Sequence, residues 1–294
     1  MKNFAFRLVN VFAETTLSGN PLCVFDDARG LSSEQMQALA LQFNLSETTF
    51  VLPSNNPAAD AFVRIFAPGY EMRFAGHPTL GTAQVVAAGR NKVTLEFMAG
   101  LVPVKCAGER WTFKAPTQGA PKVTPAPISR QQMAASFDLA ADDLAGDPQW
   151  VDTGTDQLLV PLKHPDLVRA AKVRSDLLDT WPLSSIQRKT AYLFAFDPLS
   201  PSEVLARYFF TTSGGTVSED PGTGSACANL GGWILHHGLE HLFPAAKLSF
   251  PMQWSIDQGE QTGRACKLSL RVNAERQIFV GGRVVELARG VVSL

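Results

Sequence analysis

Residues 213–233 read SGGTVSEDPGTGSACANLGGW. They follow Arg207–Phe210, a run apolar and aromatic enough for a buried strand. The stretch reads as a strand end, a glycine turn and the start of a small-residue helix. Asp220 and Pro221 fit an N-cap and a first helical position, because proline's fixed φ and missing N–H suit that place. Gly222, Gly224, Ser225 and Ala226 keep bulk away from the first helical turn. The N–H groups there are open to another backbone or to a ligand, and such a helix N-terminus attracts a carboxylate or other anion.

A fainter copy lies 143 residues earlier, where Arg64, Phe66, Pro78, Gly81 and Ala83 stand for Arg207, Phe209, Pro221, Gly224 and Ala226. Thr82 falls on Ser225, and His77 falls on Asp220. The shift is close to half of the 294-residue chain, so duplication explains the matches better than chance. Two similar halves follow, each with one helix N-terminus and one polar residue of the pair His77 and Asp220. A cleft between such halves is the default place for a ligand.

A chain of this length can bury a large core, and about two domains is the expectation. The formal net charge of −1 gives no sign of a nucleic-acid surface. The opening MKNFAFRLVNVFAETT alternates like a strand, and Arg7 and Glu14 interrupt any signal-peptide core. No apolar run reaches membrane-span length. Cys23, Cys106, Cys227 and Cys266 are widely spaced and match neither a zinc site nor a disulfide framework. A cytoplasmic protein with neither nucleic-acid nor membrane partners is expected.

Strands are expected at 4–12, 22–25, 48–52 and 61–66, with a helix opened by the capping box Ser32-Ser-Glu-Gln35. Tyr70–Phe74 leads into the first small-residue helix, which runs to about Ala88 and stops at Gly89. Short alternating runs at 92–97, 101–106 and 110–114 read as a meander. Residues 1–117 form the first half, with the last strand (283–294) a candidate to rejoin it. The proline-rich segment within 118–127 reads as the linker, and 128–282 as the second half. Helices are expected at 129–137, 140–144, 165–178 and 224–236, and strands at 151–162, 190–196, 247–250, 264–272 and 277–280. Strands and helices mix without strict βαβ alternation, so the class is α+β.

Three residues carry the chemistry. Glu47 stands at a helix-to-strand junction, where partial burial can raise a carboxylate's pKa toward that of a proton-shuttling base; a surface glutamate in a turn is the plainer reading. His77 is a poor N-cap residue, and an imidazole beside an anion-binding helix end serves better as an acid/base or a donor. Asp220 is adequately explained as a cap, and only its correspondence with His77 raises it further. His237-Gly-Leu-Glu-His241 matches a zinc-protease pattern, but Gly238 ends the helix that the pattern requires. No metal is expected, and the glycines at 222 and 224 make no nucleotide-binding loop.

The motifs Leu17-Ser-Gly-Asn-Pro-Leu22, Leu45-Ser-Glu47, Arg64-Ile-Phe-Ala-Pro68, 74–83 (FAGHPTLGTA) and 219–226 (EDPGTGSA) together resemble the PhzF-like phenazine-biosynthesis proteins. These have the diaminopimelate-epimerase-like fold. The resemblance implies two pseudo-symmetric domains, each a curled mixed sheet around a central helix, with the site between them. It implies that Glu47 shuttles a proton between carbons of a cyclic amino acid without any cofactor. It implies that His77, Asp220 and Ser225 assist binding or transfer, that Asn20 binds substrate, and that N–H groups near Gly76 and Gly224 hold a carboxylate. The related epimerases use two cysteines; aligned on the shared glycines, those places hold Ala75 and Pro221 here. Gly222 replaces a small aliphatic residue usual in the family. The resemblance also admits a homodimer, although no interface stripe is visible.

A cofactor-independent isomerase acting on a small carboxylate-bearing substrate is therefore expected. Its alternatives are a racemase or epimerase with non-thiol bases, and a small-molecule-binding protein of the same fold.

Overall fold

The computed structural model describes residues 1–117, 119–212, 214–240, 242–243 and 249–294. The chain divides into two compact units, Met1–Lys114 with Gly281–Leu294, and Ala115–Val280.

In the first unit, β1 (Asn3–Val11) pairs antiparallel with β2 (Asn20–Phe25). Helix α1 (Ser33–Phe43) crosses over and lays β3 (Thr48–Leu52) parallel to β2. The expected capping box opens α1: Ser32 accepts from the Gln35 N–H, and Gln35 accepts from the Ser32 N–H. Asn44 ends the helix in the left-handed conformation. β3 pairs antiparallel with β4 (Ala61–Ala67), which makes a tight hairpin with β5 (Tyr70–Met72). Helix α2 (Gly76–Ala87) then returns the chain to β6 (Lys92–Phe97), parallel to β4. β7 (Gly100–Ala107) and β8 (Arg110–Lys114) complete the expected meander.

The second unit starts with β9 (Lys122–Pro125), helix α3 (Arg130–Ala135) and β10 (Gln149–Asp152). The ladder of the first unit then recurs. β10 is antiparallel to β11 (Asp156–Pro161); after helix α4 (Pro165–Ala170), β11 lies parallel to β12 (Thr190–Asp197). β12 is antiparallel to β13 (Ser200–Thr211), which makes a hairpin with β14 (Val217–Asp220). Helix α5 (Gly224–His237) precedes β15 (Met252–Gln258), parallel to β13, and β16 (Cys266–Val272) is antiparallel to β15. β17 (Ile278–Ser293) carries the chain back into the first unit, where Val284–Ser293 pairs along all of β1.

The repeat extends to side chains. Thr48 faces Phe66 across β3 and β4; 143 residues on, Ala191 faces Phe209 across β12 and β13. Arg64 grips Glu71 through two bonds of 2.6 Å, and Arg207 grips Glu219 through bonds of 3.0 and 2.7 Å. Each guanidinium also lies over the phenylalanine two residues on, Phe66 or Phe209.

Each sheet curls around one helix. α2 packs on β1, β2, β3, β6, β7 and β8, and all of Gly76–Ala83 is buried. α5 packs on β9, β10, β11 and β16, with Ala226–Ile234 buried. Helices surrounded this way need small residues where strands approach. A side chain at Gly81 would meet Leu22 Cδ2 at 2.6 Å, and one at Gly232 would meet Pro121 at 2.9 Å. The architecture is α+β, as expected.

Four expectations change. Residues 122–125 of the proline-rich segment are a strand, tolerated because β9 has a partner on the β10 side and its prolines stand at or beyond its ends. Residues 140–144 form only a 3₁₀ turn, Ala141–Asp143. The helix expected over 165–178 breaks after Ala170 and resumes as a 3₁₀ segment, Ser175–Thr180. Of the strand expected at 247–250, Lys247 and Leu248 lie outside the described residues, and Ser249 and Phe250 are not in a strand.

Candidate active site

Glu47 occupies the last position before β3, and His77 the second position of α2. The two meet inside the first unit, with Glu47 Oε2 3.2 Å from His77 Nδ1. Their side chains are 16% and 5% exposed, so the contact is sheltered, with Glu47 the more accessible of the two. Burial drives the His77 pKa down to about 3, against a smaller opposing pull from a hydrogen bond to the Pro21 carbonyl. Although the pair stands at ion-pair distance, burial favours the neutral imidazole, so the contact is a close approach of a neutral ring to a carboxyl group. Asn20, fully buried at the start of β2, immediately precedes the Pro21 that anchors the ring. The motif around Asn20 thus reaches the site through its backbone.

Gly76 is the first residue of α2, and Ala75, its N-cap, supplies no side-chain cap. In the second unit, α5 starts at Gly224, and its N-cap is Thr223. This corrects the expectation that Asp220 caps the helix with Pro221 in its first turn. Asp220 is the last residue of β14, and Pro221 lies in the connection that follows. Thr223 also makes no side-chain cap; its hydroxyl donates to Asp220 Oδ2 at 2.5 Å. Both buried helices therefore present first-turn N–H groups without a capping side chain, an arrangement suited to a carboxylate.

The reassigned start also changes the pairing between halves. Counted from the helix starts, the counterpart of His77 is Ser225, and that of Ala75 is Thr223. The cause is a longer hairpin. Residues 211–217 separate Phe210 from Ser218, whereas only 68–69 separate Ala67 from Tyr70. An ungapped shift is in register up to this hairpin and five residues out beyond it. The places expected for two epimerase thiols, Ala75 and Pro221, become Ala75 and Thr223, again without sulfur.

Sequence reasoning missed three amides in the second unit. Gln258, buried in β15, donates to the Asp220 carbonyl at 2.9 Å and to Thr223 Oγ1 at 3.0 Å, and accepts from the Thr223 N–H. Gln157 on β11 donates to Ser225 Oγ at 2.8 Å, and Asn229 on α5 donates to Gln157. Nothing near any of them in sequence marks these roles, because every partner comes from a distant element.

The structure therefore brings Glu47, His77, Gly76 and the backbone after Asn20 together in one unit, and Asp220, Thr223, Gly224 and Ser225 in the other. Cys227 is fully buried, and burial raises its thiol pKa, which leaves it inert as a base. Among the described residues no cluster of His, Cys, Asp and Glu could hold a metal ion. The helix carrying His237 ends there at Gly238, and His237 Nε2 lies 2.7 Å from Gln149 Oε1; His241 is outside the described residues. No helix among the described residues is long and apolar enough to cross a membrane.

The chain is 37% identical over 290 residues to an uncharacterized isomerase of Pasteurella multocida, covering 98% of this chain and 93% of that one. It is 30% identical to the trans-2,3-dihydro-3-hydroxyanthranilate isomerase of Pseudomonas chlororaphis, covering 98% and 99%. A Bacillus anthracis phenazine biosynthesis protein of the PhzF family superposes with a TM-score of 0.84 at 25% identity, over the full length of both chains. The PhzC-PhzF family model, described as phenazine biosynthesis-like protein, matches residues 9–290. On this match and these relatives, the chain belongs to the phenazine biosynthesis-like PhzC-PhzF family.

Proposed function

We propose that this isomerase shifts a proton between two carbons of a small, cyclic, amino-acid-like substrate bearing a carboxylate, without a cofactor. Glu47 takes a proton from carbon, and the C–H electron pair moves into the adjacent unsaturation. The proton then returns at the other end of the conjugated system, so atoms and electrons balance with no redox change. Neutral His77, anchored at the Pro21 carbonyl, packs its Nδ1 edge against the Glu47 carboxyl and limits the directions that carboxyl can take. Asp220 assists transfer, and the uncapped N–H groups at Gly76 and Gly224 together with Ser225 bind acceptor oxygens of the substrate.

The observation that carries this reading is the 3.2 Å contact between Glu47 and a histidine held neutral by burial. A protonated histidine there would stabilise the carboxylate and weaken it as a base; a neutral one leaves it basic. General acid/base action supplies about 10²–10⁴-fold, so oriented N–H groups must provide much of the remainder. The absence of thiols at Ala75 and Thr223 supports a proton shift over two-cysteine epimerisation.

The test is turnover of trans-2,3-dihydro-3-hydroxyanthranilate, the compound named for the Pseudomonas relatives, beside other cyclic and linear amino acids, followed by NMR. A shifted double bond in one compound supports the isomerase. Inversion at Cα with the double bond unmoved would replace it by an epimerase. Binding without conversion would favour a binding protein.

A further inference from the structure

We infer that Asn229 and Gln157 form a relay that fixes the Ser225 hydroxyl as a hydrogen-bond donor toward the substrate. Both are thus positioning residues. The inference deepens the reading above and rests on it, since the substrate must carry an acceptor oxygen.

The polarity of the chain follows from backbone groups that have only one role. Asn229 Oδ1 receives the Thr153 N–H at 2.9 Å, and its Nδ2 donates to the Thr155 carbonyl at 3.0 Å. An N–H cannot accept and a carbonyl cannot donate, so the Asn229 amide has one orientation. Its second Nδ2 proton faces Gln157 at 3.0 Å, and that atom must be the Gln157 oxygen. The Gln157 nitrogen then points the other way, to Ser225 Oγ at 2.8 Å and Tyr208 Oη at 3.3 Å. Ser225 accepts from Gln157, and its own proton is directed elsewhere. Ser225 is the second residue of α5, so that proton joins the N–H groups of the first turn. At Ser225 and the first turn the result is a set of donors, suited to a carboxylate or carbonyl oxygen.

The twin unit supplies the control. Position six of α2 is Gly81, where α5 has Asn229. Leu22 fills the space beside Gly81, and it pairs with Val9 in the register that pairs Gln157 with Val151. The fold therefore closes over this place with apolar residues alone. Buried amides carry a desolvation cost that Leu22 and Gly81 avoid, so packing does not account for Gln157 and Asn229. Asn229 also ties down the turn at Thr153 and Thr155, and Gln157 carries that fixed orientation on to Ser225.

The test is a double-mutant cycle read by calorimetry, with two probes: 3-hydroxyanthranilate, and 2-aminophenol, the same ring without the carboxylate. Ser225→Ala should weaken 3-hydroxyanthranilate roughly tenfold or more, as expected for a bond to a charged group. Gln157→Met should weaken it by about threefold or more. The double variant should bind about as tightly as Ser225→Ala alone, so that the effect of Gln157→Met disappears once the hydroxyl is gone. Binding of 2-aminophenol should be unaffected by all three. Gln157→Leu, which copies Leu22, repeats the cycle if the Met variant folds poorly. Binding by Gln157→Met and Gln157→Leu equal to wild type, or effects that multiply in full, would overturn the relay alone. A wild type that binds 2-aminophenol as tightly as 3-hydroxyanthranilate, or binds neither, would overturn the carboxylate reading and the relay with it.

Discussion

His77 Nδ1 stands 3.2 Å from Glu47 Oε2, and burial keeps that imidazole neutral. The pairing has a sign that stability measurements can read. The His77 pKa is about 3 when folded, against an unfolded value near 6.5. The unfolded chain binds the extra proton on acidification, so stability is full above about pH 6.5 and falls as pH drops toward 3. The slope from this one group approaches about 1.4 kcal/mol per pH unit within that window. Urea unfolding of wild type and His77→Gln between pH 7 and 4.5 should show a steeper loss in wild type. Parallel curves would contradict a buried neutral His77.

Arg207 and Glu219 form the more enclosed of the two repeated ion pairs, with side chains 9% and 13% exposed. Arg207 also donates to the carbonyls of Val168 and Ala171. Arg207→Met strands a carboxylate and two carbonyls, and should destabilise the protein by roughly 3–5 kcal/mol. Arg29→Met, which breaks the exposed pair with Asp27, should leave the denaturant midpoint close to that of wild type. Denaturant midpoints of the two variants check the contrast.

Gly81→Ala should destabilise by about 1–3 kcal/mol, because its Cβ would meet Leu22 at 2.6 Å and Val9 and Val11 at 3.0 Å inside a closed sheet. Gly89→Ala, in open surroundings but at φ +92°, should cost only its backbone strain. Thermal melts of both variants separate crowding from strain.

Much of the fold was legible because duplication leaves the same residues at the same ladder positions. Arg64 and Phe66 recur as Arg207 and Phe209 in matching registers. The site was less legible for a related reason. Pro78 and Pro221 aligned by type, but the longer hairpin before Asp220 had already shifted the register, so His77 was matched with Asp220 instead of Ser225. Cap preference misled in the same place: Asp220 is a favoured cap residue, yet its carboxylate takes the Thr223 hydroxyl. The segment around Lys122–Pro125 looked like pure linker because prolines exclude sheet interiors, a rule that a short edge strand escapes. Gln157, Asn229 and Gln258 left no local trace, since each gains its role from residues far along the chain.

Asp220→Asn keeps the shape that accepts the Thr223 hydroxyl while removing the charge. If Asp220 assists transfer, kcat should fall about 10- to 100-fold with KM little changed. A rise in KM at constant kcat would instead assign Asp220 to binding. Steady-state kinetics on whichever compound turns over distinguishes the two.

The central claim is that Glu47 moves the proton, and hydrogen exchange tests it most directly. Wild type and Glu47→Gln would be incubated in D₂O with trans-2,3-dihydro-3-hydroxyanthranilate, and deuterium at carbon followed by mass spectrometry. Wild type should incorporate deuterium, and Glu47→Gln should lose at least about 10²-fold in rate while keeping its melting temperature within a few degrees. Incorporation at the wild-type rate in a folded Glu47→Gln variant would contradict the account.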